Sequence, residues 1–358
     1  MNAISVLKTI RRHTWGALKR SIRTSSIYPK LFISFWHPYF CKPDFTTRGE
    51  CVYLSACPNP GAGIGHQMAN WIAGYWWANH FGLKFAHSSF SSKAWEDFLG
   101  FGLNEASVTE LTSNQGYRVV NLPPFRTTEQ TDLALIKRII ASYHDRRVVF
   151  MLHQDQPYAD QFGVMDQLQQ KFHSAPARQK DRLVFSQDHF NIAVHVRRGD
   201  IVEGQKNGNA NHQMRWQDND YFKNVLENVL KILNTDKPVA IYLFSQGIPE
   251  DFRDFDSFEN LRLCLDMNAQ DSFLHMVFAD LLVTSKSSFS YKPALLSKGI
   301  RVCPKDFWHG YPDDRSWIMV DSNNSLSTSC INADDLTMLC EGITSKPSTT
   351  RQHNQNLN

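Results

Sequence analysis

Ile192-Ala193-Val194-His195-Val196-Arg197-Arg198-Gly199-Asp200 runs from a nearly unbroken apolar stretch into two arginines, a glycine and a carboxylate. A short apolar run bounded by a turn residue reads as a strand buried on both faces. Such strands belong to parallel sheets covered by helices. Similar runs recur at 239–244, 281–284 and 300–303, with helical patterning between them at 221–233 and 271–278. This alternation implies a doubly wound α/β domain, whose ligands gather outside the carboxyl ends of the strands. Arg197 and Arg198 stand at such an end.

A guanidinium is planar and always charged, and it grips phosphate oxygens through two parallel hydrogen bonds. Gly199 lets the chain turn beside it. From spacing alone the same residues could form a surface ion pair, and both readings stand at this level. The embedded Arg-Gly-Asp tripeptide follows a buried strand directly, which argues against an adhesion loop.

The N-terminal half repeats the alternation. A strand at 51–55 precedes the turn Pro58-Asn59-Pro60-Gly61, and a helix at 65–80 carries Met68, Ile72, Tyr75 and Trp76 at three- and four-residue spacing. Gly82 ends that helix, and strands follow at 83–87, 117–122 and 148–152. A polar segment at 167–182 reads as a connection between two halves. The Gly-, Asn- and Gln-rich segment 203–219 is long for a structureless loop, so it reads as a lid or as a plain surface loop. We divide the chain into a basic arm (1–44), an acceptor-side α/β domain (45–180), a donor-side α/β domain (181–341) and a disordered tail (342–358).

Composition narrows the function. Eight of the 38 Lys and Arg precede the first acidic residue, Asp44, which leaves 30 basic against 35 acidic residues in the rest of the chain. A body suited to coating nucleic acid is therefore absent. The arm places Ile4, Leu7, Trp15, Leu18 and Ile22 along one helical stripe among basic residues. Residues 1–30 fit peripheral contact with an anionic membrane as well as they fit a solvated helix. No apolar run reaches the ~18–20 residues that span a bilayer. The seven cysteines lack CxxC pairs, which reads as reduced thiols in a cytoplasmic protein; the membrane reading of residues 1–30 would place it at the periphery of the inner membrane.

Four segments in order carry a family resemblance. His195-Val196-Arg197-Arg198-Gly199-Asp200 resembles the HxRRxD signature of the α1,2-, α1,6- and protein O-fucosyltransferases, in its α1,2 form. Gly63-Ile64-Gly65-His66-Gln67-Met68 is similar to their N-terminal G-x-G-N-Q motif. Phe244-Ser245-Gln246 resembles the FSDD-type element, and the run from Ala279 to Tyr291, through Ser287-Ser288-Phe289-Ser290, resembles the C-terminal segment. Together they span most of residues 51–310.

The resemblance implies two Rossmann-like domains in a GT-B-like glycosyltransferase architecture. It also implies a metal-independent inverting enzyme that needs no cofactor and uses GDP-fucose as donor and a glycan as acceptor, galactose O2 favoured. Carried over, Arg197 would hold the β-phosphate and Arg198 would support the loop. His195 and Asp271 would sit by the guanine or ribose, while Ser287, Ser288 and Phe289 would close over the phosphate and base. Gly63, Gly65 and His66 would complete the nucleotide-sugar site. Four positions depart from the pattern: His66 replaces Asn, Gln246 and Gly247 replace acidic residues, and Lys292 stands in place of an aromatic. No motif identifies the base that deprotonates the acceptor; Glu203 and Asp200 are the nearest candidates, and either could be a solvated carboxylate.

Rival readings are a fucosyltransferase of the same group with another acceptor, such as a core N-acetylglucosamine or a protein hydroxyl, a catalytically silent nucleotide or glycan binder, and a metal-dependent transferase using Asp218-Asn219-Asp220. That triplet follows a polar loop, and Asp220 reads more simply as the cap of the next helix. No P-loop, HExxH or GxSxG motif occurs. Trp71, Tyr75, Trp76 and Trp77 read as core, with stacking on acceptor sugars as the alternative.

Overall fold

A computed structural model describes residues 52–143, 146–152, 161–208, 210–265, 267–321 and 326–327, with Ser21 and Ser25. The remainder of the basic arm and the whole of the 342–358 tail lie outside the described residues. The chain forms two compact units, Met1–Lys180 and Asp181–Asn358. Each is a Rossmann-like α/β unit, and two such units are what a GT-B-like architecture is built from.

In the first unit, strands β1 (Val52–Ala56), β2 (Lys84–His87), β3 (Ala106–Ser107), β4 (Arg118–Asn121) and β5 (Val148–Leu152) lie in the order β3-β2-β1-β5-β4. All pairs are parallel. Helix α1 (Ile64–His80) packs closely on the centre of this sheet. A Cβ on Gly74 would stand 2.8 Å from both the backbone N and the Cβ of Ala56, so only glycine permits that approach. Trp71 and Trp77 are fully buried, and the Trp71 indole donates to His87 Nδ1 at 2.9 Å. The tryptophan cluster is thus mainly core. The first unit also contains α2 (Lys93–Leu99), α3 (Val108–Asn114) and α4 (Gln130–Ala141).

The segment at 167–182 is not a plain connection. It is mostly helical, with α5 (Met165–Ser174) followed by a 3-10 turn at Pro176–Lys180. Leu168 and Phe172, one turn apart, are buried, and the Arg178 guanidinium lies 3.9 Å from the Phe172 ring centre. Two apolar residues among polar ones are too few to register as a stripe, yet one turn of contact is enough to fold them.

The second unit contains α6 (Asp200–Lys206), α7 (Ala210–Gln213), α8 (Asn219–Ile232), α9 (Ala269–Phe278) and α10 (Ser288–Leu296). Its strands are β6 (Phe190–His195), β7 (Val239–Phe244), β8 (Leu261–Cys264), β9 (Leu281–Val283), β10 (Ile300–Pro304), β11 (Trp317–Val320) and β12 (Leu326–Ser327). The sheet order is β12-β11-β10-β9-β6-β7-β8, and only the β11–β12 pair is antiparallel. Counted from β6, the six parallel strands follow the order 3-2-1-4-5-6 of a dinucleotide-binding sheet.

Strand β6 sits at the reversal of that order, paired with β7 on one side and β9 on the other. Phe190, Ile192 and Val194 turn one way, into a core shared with Phe222, Val225, Leu226 and Val229 of α8. Asn191, Ala193 and His195 turn the other way. The stretch 203–219, expected as loop or lid, is helical at 203–206 and 210–213, through α6 and α7, and irregular at 214–218. Ile201, wholly buried, roots it in the unit. No helix among the described residues is long and apolar enough to cross a membrane.

Candidate functional site

Where strand order reverses, the loops after the two central strands diverge and leave a crevice. Here those loops are 196–199 after β6 and 284–287 after β9. Arg197 bridges them. Its Nη1 donates to Ser287 Oγ at 2.8 Å, and its Nη2 donates to Asp200 Oδ2 at 2.9 Å. Ser287 is the N-cap of α10, and its Oγ also accepts from the Phe289 N–H at 3.2 Å. One guanidinium is thus aimed at a helix N-terminus, where backbone N–H groups and the helix dipole favour an anion. Its Nε is buried without a hydrogen-bond partner.

Arg198 does different work. It is buried, stacks 4.3 Å from the Trp216 ring centre, and donates to the carbonyl oxygens of Arg197 and Gln217 at 2.9 and 3.0 Å. Its Nη2 reaches Asn219 Oδ1 at 2.5 Å. Gln217 in turn accepts from the Lys286 N–H at 2.7 Å, which closes a brace between the two loops. Gly199 turns the chain with φ of +63°, a left-handed conformation that favours glycine.

His195 faces inward. Its Nδ1 lies 2.7 Å from Ser285 Oγ, and its ring centre is 5.5 Å from that of Phe289. Burial first, then the charges of Arg197 and Arg198, push its pKa down to about 3, so the imidazole is neutral at physiological pH. Ser288 Oγ lies 3.1 Å from His309 Nε2. Phe289 packs edge-on against Phe273 of α9. Asp271 is exposed in the first turn of α9, where its Oδ2 accepts from Asn268 at 2.7 Å.

The structure therefore brings His195, Arg197, Arg198, Asp200, Ser287, Ser288 and Phe289 around one crevice. Asp271 lies in the first turn of α9, two residues before the Phe273 that packs against Phe289. Glu203 lies on α6, but its side chain is outside the described residues. Gly63, Gly65 and His66 belong to the first unit, as the N-cap and first turn of α1. The neighbouring Gln67 braces its own loop, donating to Ala62 O and Ser91 Oγ, both at 2.8 Å. Gln217, Trp216 and His309 carried no sequence signal, because each acts through a contact distant in the chain, whereas Ser285 lies in the matched segment Ala279 to Tyr291.

Beside Gly199 opens a cavity of about 610 Å³ whose walls include Trp216, Asp218, Asp220, Gln246, Asp251 and Asp254. Arg198 also lines it, so four carboxylates face one guanidinium and its walls are net negative. Asp218, not Asp220, caps α8: its Oδ1 accepts from the Tyr221 N–H at 2.8 Å. Helix α8 begins two residues earlier than its apolar pattern does, which moves the cap with it. Among the described residues no group of three or more His, Cys, Asp or Glu is arranged to hold a metal ion. We expect Asp218→Ala to cost about 1 kcal/mol of stability. Thermal melts should show the same loss with and without divalent ions.

No family model matches the chain, and no curated protein matches it. Solved structures do resemble it. POFUT1 in complex with GDP aligns at 12% identity over 72% of this chain and 99% of that one, with a TM-score of 0.42. POFUT1 in complex with GDP-fucose aligns at 12% identity over 72% and 97%, TM-score 0.38. The E. coli heptosyltransferase WaaC with ADP aligns at 10% identity over 81% and 99%, TM-score 0.38. Likenesses of this size leave the α/β assignment resting on the strand orders and registers above.

Proposed function

We propose that the chain is a GDP-sugar-dependent inverting glycosyltransferase with fucose as the transferred sugar. The observation that supports it most is Arg197, held by Ser287 and Asp200 at the reversal of strand order. There it faces the spot where a nucleoside diphosphate would sit in a sheet of this order. The motif order in the sequence supplies the choice of GDP-fucose.

In the proposed reaction the acceptor hydroxyl gives its proton to a base, and its oxygen bonds to C1 of the fucose. The bond from C1 to the β-phosphate oxygen breaks, and its electron pair leaves with GDP. Charge grows on the β-phosphate as this happens. A guanidinium fixed beforehand stabilises that charge at no reorganisation cost. Glu203 and Asp200 are the candidate bases. Asp200 already pairs with Arg197, a position suited to holding the guanidinium in place. Galactose O2 rests on the form of the motif alone, so the acceptor proposed is a hydroxyl of a glycan or of a protein.

Without divalent metal, GDP at ten times its Kd should stabilise the protein by about 1.4 kcal/mol, and UDP at the same concentration by much less. Differential scanning fluorimetry reads this directly. An equal response to both nucleotides, or none to GDP, would overturn the donor assignment.

A further inference from the structure

We propose that Arg215, which no sequence motif marks, is a second cation for the donor diphosphate, acting beside Arg197. This rests on the reading just given and names a further residue of the same site.

The first observation is how Arg215 is held. Its guanidinium lies 4.7 Å from the centre of the Trp308 ring. Stacking of this kind leaves the N–H edges of a guanidinium available. Its Nε is buried without a hydrogen-bond partner, as is the Nε of Arg197. Among the described residues no carboxylate pairs with Arg215.

The second observation is where it is held. The Trp308 ring centre lies 5.9 Å from that of His309, and His309 bonds Ser288, the first residue of α10. Arg197 bonds Ser287, the residue before it. Arg197 thus bonds the helix N-terminus itself, and Arg215 stacks on Trp308, whose chain neighbour His309 bonds the first residue of that helix. Burial lowers the pKa of Arg215, with the charge of Arg197 adding to the shift and that of Asp200 opposing it.

Two partly desolvated cations, of which only Arg197 has a carboxylate partner among the described residues, leave a positive charge near a helix N-terminus. Such an excess is costly in the empty protein unless an anion completes it. A diphosphate, with at least two negative charges and oxygens on both phosphorus atoms, matches two guanidinium groups where a single phosphate matches one.

The test is calorimetric titration of the full chain with GDP and with guanosine, for the unaltered protein, Arg215→Ala, Arg215→Lys and Trp308→Ala. We expect Arg215→Ala to weaken GDP by roughly 10- to 100-fold, the range for a charge-assisted hydrogen bond to phosphate. Guanosine, which lacks phosphate, should change by less than about twofold. Trp308→Ala, which frees the guanidinium without removing it, should give a smaller loss of the same kind. Arg215→Lys should recover part of the affinity, because the charge remains. Unchanged GDP affinity in Arg215→Ala, or equal losses for GDP and guanosine, would overturn the assignment. If Arg215→Ala fails to fold, the Lys and Trp308 variants decide by the same GDP-to-guanosine comparison. Failure of the unaltered protein to bind GDP would remove the donor reading itself, and so differs from a failure confined to Arg215.

Discussion

Replacing Arg197 by alanine is expected to slow transfer by about 10²–10³-fold, the usual cost of removing one preorganised donor from developing transition-state charge. The fold should survive. The Asp200 side chain is 58% exposed, so its ion pair with Arg197 is well screened and contributes little to stability. The bond to Ser287 is one of two that the serine hydroxyl makes, and the helix cap persists without it. Arg197→Lys should recover only part of the rate. An ammonium keeps the charge but cannot face Ser287, Asp200 and a phosphate through one rigid plane. Steady-state kcat and the melting midpoint, measured together, test this. A rate within a few-fold of the unaltered enzyme would mean that the leaving group's charge is stabilised elsewhere.

Lys292→Met should raise stability by about 2–3 kcal/mol. Lys292 lies on α10 with 0% exposure, its Nζ has no hydrogen-bond partner, and the nearest aromatic ring centre, that of Tyr291, is 5.1 Å away. Burial pushes its pKa well below the ordinary lysine value. The sign follows from linkage. In the unfolded chain Lys292 binds a proton at any pH below ~10.4, whereas the folded chain releases it over the upper part of that range. Stability from this residue is therefore complete above ~10.4 and declines as pH falls, by about 1.4 kcal/mol per pH unit, until the folded pKa is reached. Methionine has nearly the same shape and removes the proton altogether. Chemical denaturation between pH 7 and 10 should show the variant more stable at pH 7 and the gap narrowing toward pH 10. A variant that is less stable at pH 7 would show that the ammonium has a partner when folded.

Much of the fold was readable from residue order. Strands at 239–244 and 148–152 are the observed β7 and β5 to the residue, because a strand buried on both faces must be apolar throughout. Elements whose burial depends on only two or three side chains escaped, as α5 and α6 show. So did β3, β8, β11 and β12, which are short or lie toward the edges of their sheets. Half-wet edge strands carry weak alternation and no apolar run, whereas β11 is apolar and buried but only four residues long.

The site divides in the same way. Arg197, Arg198 and Gly199 announce themselves, since two guanidinium groups and a glycine at a strand end already describe an anion-binding turn. That Arg197 faces Ser287 while Arg198 braces Gln217 and Asn219 could not be read from adjacent letters. Successive residues in a turn point in different directions, and only the neighbouring loop from β9 selects which direction meets the crevice. The same holds for Arg215, Trp308 and His309. Their spacing along the chain carries no periodicity, and they meet because strand order reverses between β6 and β9, which brings segments some ninety residues apart to one helix end.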